Sequence, residues 1–166
     1  MKNSVVKKRW ASVYENHEFI EFCTNSGYRI ALADPLGKRI QFLNPTENGV
    51  IGDGLLDVLN ESRFINPSDD PDFFDFRGRV VPQYEEWVKS VINRFGYKTR
   101  KAVFKEMKYC SIEEEGGMLT IRPWHHAKTE LWTGDGIADD SLVRVRYDAD
   151  PAEIGIALRV GLSRCT

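Results

Sequence analysis

The residues best equipped for chemistry lie together in Ile121-Arg-Pro-Trp-His-His-Ala-Lys-Thr-Glu-Leu-Trp-Thr-Gly-Asp-Gly-Ile137. His125 and His126 can act as general bases, Asp135 can orient a histidine, and Cys110 upstream supplies a thiol for such a base to deprotonate. That set would make a small hydrolase. Adjacent residues of an extended segment point to opposite faces, however, so His125 and His126 cannot easily serve one ion, and His17 is remote in sequence. A metal centre would have to recruit Glu130 and Asp135, and the segment contains neither H-x-x-x-H nor H-E-x-x-H; no metal or cofactor is expected. Trp132-Thr-Gly-Asp-Gly136 lacks the glycine pattern of a phosphate loop and reads more economically as a turn held down by a tryptophan. Free cysteines are among the most frequently buried residues. The expectation is therefore a packed loop, with the hydrolase built on His125 or His126, Asp135 and Cys110 kept as the alternative.

The elements that must position this segment are legible in the apolar pattern. Residues 9–14, 18–23 and 28–33 combine aromatic and β-branched side chains, with a polar break at 15–17 and Ser26-Gly27 before the third, which predicts a β-meander. Asp34-Pro-Leu-Gly37 reads as a turn, with Pro presetting φ and Gly tolerating positive φ. Ile51, Leu55, Leu56, Val58 and Leu59 have helical spacing within 48–62, despite Gly52 and Gly54. Residues 63–80, rich in Asp, Pro and Phe, follow neither period and are expected to be a long connection fastened to the core by Phe73, Phe74 and Phe76. The clearest helix covers 82–95, where Tyr84, Trp87, Val88, Val91, Ile92 and Phe95 share a face between Pro82 in the first turn and Gly96 as a left-handed stop. Residues 99–107 fit a short basic helix slightly better than a strand. Segments 109–114 and 118–124 flank Glu115-Gly-Gly117 as a hairpin, and 141–147 alternate as a half-buried strand. Asp150-Pro-Ala-Glu153 starts a closing helix that carries Ile154, Ala157, Leu158, Gly161 and Leu162 on one face. One α+β domain over residues 1–166 follows, a mostly antiparallel or mixed sheet packed with three to four helices.

Composition removes several function classes. A chain of 166 residues, 42% hydrophobic and 29% charged, suits a single globular core, and no apolar run reaches the roughly 20 residues of a membrane helix. The start, Met1-Lys-Asn-Ser-Val-Val-Lys-Lys-Arg-Trp10, is basic without the apolar run of a secretion signal. Cys23, Cys110 and Cys165 form no C-x-x-C arrangement, which argues against a disulfide framework and a cysteine zinc site. A cytoplasmic location is expected. The net charge of −2 excludes a strongly basic nucleic-acid binder by bulk charge, but residues 50–86 carry 3 basic and 9 acidic side chains while 87–112 carry 7 and 1. Lys98, Arg100, Lys101, Lys105 and Lys108, interleaved with Phe104 and Tyr109, make the case for RNA; no recognised nucleic-acid motif accompanies them, so direct nucleic-acid binding is not expected.

An ordered set of short motifs runs through the chain. It comprises Ala33-Asp-Pro-Leu-Gly37, Ser62-Arg63, Tyr84-x-x-Trp87, Gly96-Tyr-Lys-Thr99, Phe104-x-x-Met107-x-x-Cys110, Ile121-x-Pro123 with His125-His126, Trp132-x-Gly-Asp-Gly-Ile137, and Pro151-Ala-Glu-Ile-Gly155 with Ala157-Leu-Arg159. In order and separation this set resembles the CdiI immunity proteins of bacterial contact-dependent growth inhibition systems, over nearly the whole chain. The resemblance implies a cytoplasmic, non-enzymatic protein that binds and neutralises the C-terminal toxin domain of a cognate CdiA effector in a one-to-one complex. It also implies a nuclease toxin, with a ribonuclease resembling the RNase A fold preferred. A nuclease attracts its polyanionic substrate with basic residues, so an acidic inhibitor surface would steer to the same site. The toxin-binding candidates are accordingly Asp69, Asp70, Asp72, Asp75, Asp135, Asp139 and Asp140, with Phe73, Phe74 and Trp132 as apolar anchors. As residues of the shared pattern, Trp87, His125 and Trp132 are expected to build the scaffold more than to contact a toxin. Charge reversal at Asp70 and Asp72 is expected to slow toxin association without lowering the melting temperature.

Overall fold

Alternation in the strands and a 3.6-residue period in the helices build three layers. The computed structural model describes residues 5–166; the first four residues of the basic start lie outside the described residues. The chain opens with β1 (Arg9–Glu15), β2 (Phe19–Gly27), β3 (Ala31–Ala33) and β4 (Arg39–Leu43), followed by α1 (Asn48–Asn60), α2 (Val81–Phe95) and α3 (Arg100–Phe104). It continues through β5 (Lys108–Glu115), β6 (Met118–Pro123), β7 (His125–Lys128), β8 (Leu131–Thr133), β9 (Val143–Arg146) and α4 (Pro151–Ser163). The main sheet runs β3-β2-β1-β5-β6-β9, with β4 also on β2. Strand β2 is long enough to pair its first half with β4 and its last residues with β3. All ladders between named strands are antiparallel, and β7 and β8 make a separate two-stranded ribbon. The expected α+β domain forms, with a mostly antiparallel sheet and, among the described residues, four α-helices.

The two faces of the sheet differ in character. Ala11, Val13, Ile20, Phe22, Cys110, Ile112, Leu119 and Ile121 face α1 and α4 and are buried with Ile51, Leu55, Val58, Ile154, Leu158 and Leu162. On the other face Phe19 and Tyr14 meet Trp87, Val88 and Val91 of α2, Val103 and Phe104 of α3, and Trp132. Much of that second face is polar, with Ser12, Glu21 and Asn25 all under 9% exposed. Asp150 caps α4 by accepting from the Ala152 N–H at 2.9 Å, and Gly96 ends α2 at φ 68°, as the sequence predicts.

Several elements depart from expectation for local reasons. Strand β2 runs through Ser26-Gly27, and the turn falls at residues 28–30, where a Cβ on Gly27 would lie 1.8 Å from the Ile30 carbonyl oxygen. Gly37 closes the Asp34 turn (N to O, 3.0 Å), but its φ is not positive; glycine is needed because a Cβ would meet the Thr24 side chain at 2.4 Å. Residues 63–80 are more structured than a loop, holding a 3₁₀ turn at Pro71–Phe74 and a π-helical turn at Phe76–Val80 that continues into α2. Strand β4 carries an alternation, Arg39-Ile-Gln-Phe-Leu43, that the meander reading did not include.

Candidate functional site

The His125–Ile137 segment packs as a structural tie. Strands β7 and β8 pair around a bulge between His126 and Lys128. His126 Nε2 lies 2.6 Å from the Met107 carbonyl oxygen and Nδ1 lies 3.1 Å from that of Lys128. Both ring nitrogens are thus directed at main-chain carbonyls and not at a thiol or hydroxyl that a base could activate. The His126 N–H donates to the Thr166 carbonyl at 2.6 Å, which fastens the chain end here. Trp132 packs against His126 at 5.0 Å between ring centroids and against Tyr109, Phe104 and Tyr14 at 5.7, 5.9 and 6.0 Å. Cys110 is buried on the opposite sheet face, and its hydrogen bond to Cys165, together with burial, pushes its thiol well above the usual range. Asp135 is exposed in a turn where Gly136 takes φ 75°. Among the described residues no hydrogen bond joins any two of His125, His126, Asp135 and Cys110, so the hydrolase set is not assembled. No group of three or more His, Cys, Asp or Glu is arranged to hold a metal ion among them either.

The acidic segment is anchored from within. Asp70 accepts from the Phe73 N–H at 3.2 Å and Asp75 from the Gly78 N–H at 2.9 Å, each capping its short turn. Phe73, 3% exposed, lies beneath the Arg79 guanidinium at 4.3 Å. Arg79 also donates to the Phe73 carbonyl at 2.6 Å and the Ala33 carbonyl at 2.9 Å, which ties the segment to β3. Phe74 is half-buried against Phe73, and Phe76, expected to fasten the segment, is instead 57% exposed because the π-helical turn rotates it outward. Asp69, Asp72 and Asp75 are exposed, and none of these or Asp70 joins a salt bridge among the described residues. Because Asp70 is a cap, charge reversal there also costs about 1 kcal/mol of stability, which corrects the expectation of an unchanged melting temperature at that position.

The candidates do not form one patch. Asp139 and Asp140 precede β9, at the far edge of the sheet from β3, and Asp139 pairs with Arg144 at 3.3 Å. Five interstrand steps separate β3 from β9, roughly 24 Å. The basic stretch is also partly neutralised: Arg100 makes paired hydrogen bonds to both Glu85 and Glu130, and Tyr84 donates to Glu130 at 2.6 Å. That Arg100 contact holds the Glu130 carboxyl below its usual range. Phe104 is buried, and Tyr109 stacks inside the aromatic cluster, which leaves the lysines there without outward aromatic partners.

Sequence reasoning missed a cleft of about 650 Å³ between the polar sheet face and α2. Ser12, Asn25 and Tyr109 form its floor, and Arg39, Arg79 and Trp87 its walls. Beside it Glu21, 2% exposed, is held by Arg39 at 2.8 Å and Gln41 at 3.0 Å, and the Arg39 guanidinium lies 5.1 Å from the Trp87 ring. Its residues come from β1 to β5, the π-helical turn and α2, far apart in sequence, so only the buried Glu21 among hydrophobic neighbours was a sequence signal.

Comparison with known proteins places this architecture. The sequence model of the CdiI family, described as CDI immunity protein, matches residues 9–165. The chain is 39% identical over 175 residues to Immunity protein CdiI-YPIII of Yersinia pseudotuberculosis serotype O:3 (strain YPIII), covering 98% of each. Among solved structures, a chain of the CdiA-CT/CdiI toxin and immunity complex from Yersinia pseudotuberculosis superposes with a TM-score of 0.92 at 39% identity, over 98% of this chain and 100% of that one. A protein of unknown function from Neisseria meningitidis, NMB0488, superposes with a TM-score of 0.88 at 33% identity over the full length of both. The family match runs from the first strand past the last helix, and the chain belongs to the CdiI family of CDI immunity proteins.

Proposed function

We propose that this protein is a non-catalytic, cytoplasmic inhibitor that binds the C-terminal toxin domain of its cognate CdiA effector one to one. Full-length similarity to the immunity chain of a CdiA-CT/CdiI complex carries the reading. The hydrolase set is not assembled, and no helix among the described residues is long and apolar enough to cross a membrane. The toxin is a nuclease, with a ribonuclease of RNase A-like fold as the preferred class, and Asp69, Asp72 and Asp75 contact its basic substrate groove. Those three carboxylates are exposed and join no salt bridge among the described residues, so their charge faces solvent. Phe76 stands outward beside them as an apolar contact, while Phe73 holds the segment in place from beneath. Asp135, Asp139 and Asp140 are a second acidic group that a large toxin domain reaches only by spanning the sheet.

The test is stopped-flow association with the purified toxin domain, coupled to RNA cleavage. One equivalent of the wild-type protein is expected to stop cleavage. Asp69→Lys/Asp72→Lys is expected to slow association about 10-fold or more at low salt, with less effect at high salt and an unchanged melting temperature. Equal rates for wild type and variant at both salt concentrations would remove this segment from the interface. A toxin that leaves RNA intact while still binding would overturn the ribonuclease assignment alone.

A further inference from the structure

Two of the three cysteines are placed to react with each other. Cys110 on β5 is buried, Cys165 just beyond α4 is half-exposed, and their sulfur atoms are 3.5 Å apart. The surroundings support that approach: Cys165 N–H donates to the Leu162 carbonyl at 3.2 Å, and the His126 N–H donates to the Thr166 carbonyl at 2.6 Å. Cys23 is on the other face of the sheet, lining the cleft, and serves as an internal control.

We propose that Cys110 and Cys165 are a modification site, a thiol pair that hydrogen peroxide closes into an intramolecular disulfide clasping β5 to the end of α4. The two thiols divide the work by environment. The hydrogen bond from Cys110, opposed by burial and helped by main-chain contacts and nearby Lys108, brings the Cys165 thiol below its ordinary value, whereas the Cys110 thiol is raised. Cys165, partly open to solvent, is therefore the attacking thiolate. Its sulfur bonds to one peroxide oxygen as the O–O bond breaks; the released hydroxide takes up the proton the thiol had given to solvent and leaves as water, and Cys165 becomes a sulfenic acid. The Cys110 sulfur then attacks the Cys165 sulfur, the S–S bond forms, the S–O bond breaks, and the hydroxyl departs as water with the Cys110 proton. Two thiols and one peroxide become one disulfide and two waters; each sulfur gives up one electron and the peroxide accepts both. The sulfur atoms, 3.5 Å apart, have to close to a bond of about 2.05 Å. The closed loop encompasses β6 to β9 and α4, so the oxidised protein gains stability by restricting the unfolded chain.

The experiment uses the purified full-length chain treated with one equivalent of hydrogen peroxide. Intact mass, thiol titration in denaturant, non-reducing peptide mapping and the melting temperature are read together. The expected product is a monomer lacking two hydrogens, with one titratable thiol instead of three. It carries a Cys110–Cys165 cross-linked peptide and melts roughly 5–10 °C higher, reversibly with dithiothreitol. Cys23→Ser leaves the result intact; Cys165→Ser and, separately, Cys110→Ala abolish the cross-link. A Cys165 sulfinic acid with Cys110 still titratable, a dimer linked through Cys165, or three unchanged thiols would each overturn the proposal. None of these readouts involves a toxin, so the outcome is independent of the immunity reading.

Discussion

Gly155→Ala is expected to lower the melting temperature by roughly 10 °C, although alanine is the better helix former. Propensity alone favours the change by about 1 kcal/mol. Sterics oppose it more strongly, because a Cβ at position 155 would lie 2.0 Å from the Asn48 carbonyl oxygen, and one at Gly52 would lie 1.8 Å from that of Pro151. Both obstacles are backbone atoms at the first turns of α1 and α4, which no rotamer change relieves. Separating the helices unpacks Ile51, Leu55, Ile154 and Leu158 from the sheet, so the net cost is about 3 kcal/mol. Gly49 supplies the control: nothing lies within 4 Å of its added Cβ, so Gly49→Ala should be neutral or slightly stabilising. Thermal denaturation of both variants decides the matter, and equal melting temperatures would show that the α1–α4 contact is looser than its geometry indicates.

Asp34→Asn is expected to cost about 3 kcal/mol near neutral pH, with the difference from wild type shrinking in acid. The Asp34 side chain is 0% exposed and accepts Arg63 Nε at 2.7 Å and Nη2 at 2.8 Å, Ser26 Oγ at 2.6 Å and the Leu36 N–H at 2.9 Å. An amide cannot accept from all four donors, so donors are left unpaired where water reaches poorly; the partly exposed Arg63 keeps the cost toward the low end of buried-pair losses. Burial pushes this carboxyl up, but the Arg63, Ser26 and Leu36 hydrogen bonds outweigh it and bring the group below its ordinary 3.8. A carboxyl lowered in the folded state contributes stability above its unfolded value and loses it as pH falls through the folded one. The wild-type advantage should therefore be full above about pH 4 and fade below it. Melting curves of both proteins from neutral to acidic pH test this, and a gap that stays constant through acid would contradict it.

The same contact explains how motif pieces that look unrelated in sequence belong together. Ala33-Asp34 and Ser62-Arg63 meet through that ion pair, while Ser62 Oγ donates to the Asn25 carbonyl at 2.6 Å. Tyr84, Trp87, Phe104, Met107, His126 and Trp132 likewise converge in one aromatic layer, which is the scaffold role expected for Trp87 and Trp132. What periodicity carries was legible: the α2 face, the Gly116-Gly117 hairpin with φ of 58° and 84°, and the Asp150 cap on α4. Tertiary partners carry the rest, and one sequence does not display them. Gly37 looked like a positive-φ glycine and is a close-approach glycine. Phe73 and Phe76 looked equivalent, but only Phe73 finds the Arg79 guanidinium. The cleft and the Cys110–Cys165 pair are products of topology, invisible until β1, β2 and β5 are brought together with α2 and with the segment after α4.

Co-expression with the proposed partner, the C-terminal toxin domain of a cognate CdiA effector, tests the central claim most directly, scoring cell growth and co-purification in one strain. The account predicts rescued growth and a one-to-one complex that survives purification. Arrested growth and no complex, with this protein folded and abundant in the same cells, would contradict it.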